Sequence, residues 1–156
     1  MFLPLKPPEN LFSSTNPSAI AKEADNRGVA YIAAVGSNEA SSASAKSFAE
    51  ALPHAWFAAG VHPHEASTFK GDLSPFQQIA QDEKFVAIGE IGLDYFYENS
   101  DKPTQIKTLQ HFLALAHELN APAIIHCRDK WEKSDAYASI PRWPRISPVV
   151  GNTARP

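Results

Sequence analysis

Three stretches of this sequence gather groups that can hold a cation or move a proton. His62-Pro63-His64-Glu65 follows one apolar run, Glu90 lies inside a second with Asp94 just beyond it, and His126 ends a third, followed by Cys127, Arg128 and Asp129. A charge within the run Val86 to Ile91 is costly unless it is paired or bound to a cation, so Glu90 is the residue hardest to explain as packing. A buried pair with Arg128 would also account for it. Histidine with a carboxylate suits a divalent ion such as zinc, manganese or magnesium, and a glutamate bridging two ions is a usual arrangement for phosphoester hydrolysis. The fork of Arg128 fits a phosphate bidentately, and equally fits a salt bridge to Glu90, Asp94 or Asp129. His62 and His64 lie two apart. On an extended segment they would share a face and reach an ion or a phosphate oxygen; otherwise the His-Pro-His turn only shapes its loop. His54, His111 and His117 fall before a strand or on helices and stay outside the candidate set.

The apolar pattern predicts the elements that bring these groups together. Asn16 as cap, Pro17 at the first helical position and Gly28 past the last turn bracket a short helix containing Ile20, Ala21 and Ala24. Val29 to Val35 is a continuous apolar run of the kind buried on both faces of a sheet. A helix over 40–52 follows, then a strand from Trp56 to Val61, and a helix over 72–81 with Leu73, Phe76, Ile79 and Ala80 on one face. The third strand is Phe85 to Ile91. The longest helix runs from Pro103 to Leu119, with Ile106, Leu109, Phe112, Leu113 and Ala116 at helical spacing, and Ala123 to His126 is the fourth strand. Apolar strands alternating with helices imply a parallel sheet with right-handed crossovers, in which chemistry collects at the carboxyl ends of the strands. Three strands therefore deliver ionisable groups to one rim, a stronger signal than any lone strand-end histidine.

Bulk properties bound the reading. With 44% hydrophobic and 20% charged residues the chain suits one globular domain with a core rather than a disordered segment. A net charge of -3 gives no general basic field, which excludes a protein that coats DNA and leaves nucleic-acid contact to local clusters. One cysteine, Cys127, allows no internal disulfide and no Cys-rich zinc motif, so a metal would rest on histidine and carboxylate. The opening residues lack a basic start followed by an apolar stretch, and no later run approaches the roughly 18 apolar residues of a membrane span. The expectation is a soluble cytoplasmic protein with no membrane association, the nucleus also being open. Of the 13 prolines, four lie in residues 1–17 and four in residues 141–156. The expected division is an irregular segment over 1–16, an organised domain over 17–140 and an irregular tail over 141–156.

The candidate residues sit in longer segments that resemble a known family. Gly60-Val61-His62-Pro63-His64, then Ala87-Ile88-Gly89-Glu90-Ile91-Gly92-Leu93-Asp94-Tyr95, then Gln110 and Phe112, then Pro122-Ala123-Ile124-Ile125-His126-Cys127-Arg128-Asp129 are similar, in order and spacing, to the TatD-related metal-dependent deoxyribonucleases. The resemblance covers about Pro17 to Lys133. It implies a TIM-barrel hydrolase that cuts phosphodiester bonds of single-stranded DNA from the 3′ end with a divalent metal (magnesium, manganese or zinc). By position Glu90 matches the family's carboxylate ligand and His126 its histidine ligand. Beside these two, the residues themselves make Arg128 a candidate to steady phosphate, and His62, His64 and Asp94 candidates for contact to metal or phosphate.

The family also takes two histidines from a His-x-His motif on an initial strand, a histidine from a later strand and an aspartate near the last one. None has a counterpart in Met1 to Asn16 or after Ser139. An eight-stranded barrel needs about 200 residues or more, so the expected fold is α/β: an incomplete TIM (β/α) barrel of about four parallel strands alternating with helices. Its ends read as altered, as a shifted reading frame or a splice variant would leave them; sequencing the transcript across both ends tests that. Two ligands do not close a catalytic metal site, so the metal is expected to be weakly bound and the nuclease activity impaired. The alternative is an inactive truncated homologue or interaction module that self-associates through its exposed strand edges. A small-molecule amidohydrolase of related architecture fits the quoted segments less well.

Overall fold

The computed structural model describes residues 16–97 and 99–128. Residues 1–15 of the irregular segment expected over 1–16, the irregular tail expected over 141–156, and the remainder of the expected domain after Arg128, Asp129 included, lie outside the described residues.

Local chemistry sets the elements. The Asn16 side chain accepts the Ser18 N–H at 3.0 Å to start helix α1 (Pro17–Asn26), and Gly28 at φ 71° ends it. Strand β1 (Ile32–Val35) begins three residues later than the apolar run suggests. The cause is the Val29 N–H, which is taken by the Ala24 carbonyl at 2.9 Å and completes the helix end, so the ladder cannot start there. Of the four β1 residues only Ala34 is fully buried, so this strand is not buried on both faces as its composition suggests. Asn38 and Ser41 form a reciprocal cap for helix α2 (Glu39–Glu50). Strand β2 (Ala55–Ala59) stops before Gly60, whose N–H turns to Ser42 Oγ at 3.3 Å. Helix α3 (Ser74–Ile79) is shorter than expected because the Asp72 carboxylate accepts both the N–H and the hydroxyl of Ser74, making a turn before it. Strand β3 (Phe85–Asp94) is longer than expected and includes Asp94. Asp101 caps the longest helix, α4 (Lys102–Glu118), through the Thr104 N–H and hydroxyl, and strand β4 (Ala123–Arg128) closes the series.

The four strands form one parallel sheet in the order β1-β2-β3-β4. Each strand adds beside its predecessor and right-handed crossovers place α2, α3 and α4 on the same side, which is the winding of a (β/α) barrel rather than of a doubly wound sheet. The described residues form half of such a barrel. One core cluster joins α2 to β1 and β2 through Ala45, Phe48, Ala49 and Phe57. A larger one joins α3 and α4 to β3 and β4, with Phe76 and Phe112 edge to face at 4.8 Å. Lys84 ties the two together: its ammonium donates to the carbonyls of Ala49 and Leu52 at the end of α2 and to that of Ala55 at the start of β2.

Candidate metal centre

Glu90, Asp94 and His126 reach one rim because β3 and β4 run in register there, with Gly92 opposite His126 and Asp94 opposite Arg128. Gly92 is required at that crossing. Its φ is 146°, and a Cβ would overlap the His126 carbonyl oxygen. The Glu90 N–H donates to the Gly36 carbonyl at 2.9 Å, and the His62 N–H to the Ser37 carbonyl at 2.8 Å, so the turn after β1 supports both residues. His62 and His64 do not share a face of an extended segment as anticipated. Pro63–Glu65 form a single 3-10 turn, which brings the two rings within 4.5 Å, edge to face.

Asp94 is the hub. His126 Nε2 lies 3.0 Å and His64 Nε2 2.8 Å from its Oδ2, while its Oδ1 accepts the N–H groups of Phe96 and Tyr97 at 3.1 and 3.0 Å. This carboxylate is fully buried. Burial opposes its ionisation; the Tyr97 N–H together with the His64 and His126 rings outweighs burial and holds its carboxyl below the usual carboxylate range. The other nitrogen of His126, Nδ1, lies 3.2 Å from Glu90 Oε1. Gln105 clamps the hub from α4, accepting the Asp94 N–H at 2.8 Å and donating to the carbonyls of Asp94 and Ser100 at 3.1 and 2.7 Å. Gln105 and Ser100 are not among the residues anticipated from sequence. The signal for Gln105 was a polar side chain at the core-facing spacing of Leu109 and Phe112.

His62, Glu90 and His126 each offer one ligand atom, and these atoms lie within 4.8 Å of one another. Ligands of a tetrahedral ion with bonds near 2.1 Å stand about 3.4 Å apart, so the widest pair has to close by up to roughly 1.4 Å. Glu90 and His126 fit, and Asp94 sits behind His126 where a carboxylate fixes the ring of a ligating histidine. His62 fits on one condition. The His64 N–H donates to His62 Nδ1 at 3.2 Å, which leaves the proton of a neutral ring on Nε2. A ring presenting Nε2 to an ion carries its proton on Nδ1, and that contact is then lost.

Arg128 is not paired with Glu90 or Asp94. Its guanidinium lies over two aromatic rings, 4.5 Å from the centre of Phe96 and 4.6 Å from that of Tyr97. Five of the six anticipated residues (His62, His64, Glu90, Asp94 and His126) therefore form one connected cluster, with Arg128 beside it on an aromatic support.

Comparison with known proteins places the chain in a family. The profile of a family described as TatD related DNase matches residues 8–150. The chain is 38% identical over 116 residues to the 3′-5′ ssDNA/RNA exonuclease TatD of Erwinia tasmaniensis, an alignment that covers 73% of this chain and 45% of that protein. It is 36% identical over 141 residues to the protein of that name from Pantoea ananatis, covering 89% and 54% of the two. The crystal structure of YjjV, a TatD homologue from Escherichia coli, matches with a TM-score of 0.63 and 31% identity, covering 71% of this chain and 44% of that one. The chain spans about half the length of the curated relatives it matches.

Proposed function

Because the chain belongs to the TatD related DNase family, we propose that it is a metal-dependent phosphodiesterase acting on the 3′ end of single-stranded DNA. The observation that carries this reading is the Glu90–His126–Asp94 relay at the carboxyl ends of β3 and β4. Glu90 and His126 are the ligands, Asp94 and His64 the groups that orient them, and His62 either a third ligand or a donor to a phosphate oxygen through Nε2. A bound divalent ion supplies Lewis-acid polarisation of the phosphoryl group. Imidazole donors favour zinc over magnesium. Arg128 places a fixed positive charge beside the cluster, where it steadies the phosphate. With two firm donors and one conditional one among the described residues, the ion is weakly held and turnover is slow.

The test is degradation of 3′-labelled single-stranded DNA with manganese, magnesium or zinc, against EDTA and a Glu90→Gln variant. Metal-dependent cutting that is lost in the variant supports the assignment. No cutting by a folded sample, or cutting that survives Glu90→Gln, overturns it.

A second reading rests on a different observation. Among the described residues the outer edges of β1 and β4 pair with no strand. An interaction module, catalytically inactive, would associate through those edges; light scattering over a range of concentrations separates it from a monomer. No helix among the described residues is long and apolar enough to cross a membrane.

A further inference from the structure

Three large apolar side chains are exposed among the described residues: Tyr31, Val86 and Tyr97. Tyr31 precedes β1 and Val86 is the second residue of β3, so both stand at the amino end of the sheet. Tyr97 alone stands at the rim that carries the candidate metal centre, and it is 53% exposed. Exposed aromatic rings usually move. This one has neighbours: its backbone N–H donates to Asp94 Oδ1 at 3.0 Å, the Arg128 guanidinium lies over the ring at 4.6 Å, and Phe96 and His64 meet it edge to face at 4.8 and 5.6 Å. A ring packed in this way and still half exposed offers apolar surface at a reduced ordering cost on binding.

We propose that Tyr97 is a stacking shelf for one unpaired nucleobase of a single-stranded nucleic acid whose backbone phosphate lies at the Glu90–His126 cluster. The inference rests on the phosphodiesterase reading for the position of that phosphate. The path between shelf and cluster is short in contacts: Tyr97 touches His64, His64 touches Asp94, and Asp94 touches His126. Arg128, whose guanidinium lies over both the Phe96 and Tyr97 rings, adds a positive charge beside the shelf. A base can use the shelf only if its own face is free. Bases inside a duplex are stacked on both sides, so the shelf selects unpaired ends by a route independent of sequence.

The test measures fluorescence anisotropy of a labelled thymidine hexanucleotide, and of the same backbone with every base removed, in EDTA so that no cutting intervenes. Tyr97→Ala and Tyr97→Leu are expected to weaken binding of the hexanucleotide about tenfold and to leave the abasic strand unchanged. Tyr97→Phe keeps the ring and is expected to stay within about twofold of wild type. The leucine variant preserves bulk, so it separates loss of stacking from loss of packing. Equal weakening of both strands, no change in either, or a wild type that holds the abasic strand as tightly as the hexanucleotide overturns the proposal. A wild type that cuts nothing with metal yet shows Tyr97-dependent preference for bases refutes the phosphodiesterase and leaves the shelf standing.

Discussion

Asp94 carries more of the site than either residue named as a ligand, because four hydrogen bonds converge on its two oxygens. Replacing it with asparagine keeps the size but puts an NH2 group where one of those donors points. Asp94→Asn is expected to lower stability by about 1–3 kcal/mol and to weaken divalent-ion binding about 10- to 100-fold. Titration calorimetry with zinc, alongside thermal melts, measures both; unchanged ion affinity would remove Asp94 from the positioning role. Glu90→Gln makes a sharper prediction. It leaves the fold intact, since Glu90 stands at the rim with its side chain 24% exposed, but abolishes any rise in Tm on adding manganese or zinc. Glu90 and His126 stood out in sequence because a charge inside an apolar run demands a compensating partner or cation, and because a histidine ends the next apolar run at the same rim; their contact with each other was not anticipated. The roles of His62, His64 and Arg128 were not legible. They depend on which ring nitrogen faces a backbone N–H and on which side of a guanidinium two aromatic rings lie, and neither is written in spacing.

The elements hold the site through their closest crossing, and the sequence anticipated their order better than their ends. Every helix and strand of the described region was legible from apolar period and caps. The boundaries moved wherever a side chain or turn claimed a ladder N–H: Val29 by the end of α1, Gly60 by Ser42, Ser74 by Asp72. β3 ran on to Asp94 because β4 continues beside it as far as Arg128, a pairing between distant residues that no local pattern reports. At that crossing Gly92→Ala forces a Cβ into the His126 carbonyl at a φ unfavourable for alanine. The expected loss is more than about 1 kcal/mol, with ion affinity falling too because the strand bearing His126 must shift. Melting curves and zinc titration read the two effects, and a Gly92→Ala protein with wild-type values of both would show the crossing to be looser than that overlap implies. Gln105, by contrast, acts from α4 on the far side of Asp94, so a helix outside the rim takes part in ordering it.

The whole molecule should lose stability below about pH 4 for a reason separate from the metal centre. Lys46 of α2 donates to Asp82 at 2.7 Å, and this bond, with the Lys84 N–H, holds the Asp82 carboxyl below the usual range. The folded state then binds fewer protons than the unfolded chain. The contribution is complete above about pH 4 and is lost as pH falls through the lowered folded value. Asp101 behaves in the same direction, its carboxyl lowered by the Thr104 N–H and hydroxyl. Urea midpoints from pH 5 to 2.5 should therefore fall, and Asp82→Asn should flatten part of that slope by about 0.5–1 kcal/mol; a variant with the wild-type slope would assign the acid sensitivity elsewhere. The strand order has a consequence in time as well as in space. Val35 pairs with Ala58, Ala59 with Ile88 and Ile125 with Ile91, so each strand finds its neighbour in the unit made just before it. During synthesis at about 5–20 residues per second, each new strand and helix docks on a partner already outside the ribosome. Among the described residues each later strand docks on one already made, and the rim residues come together last, as β4 arrives.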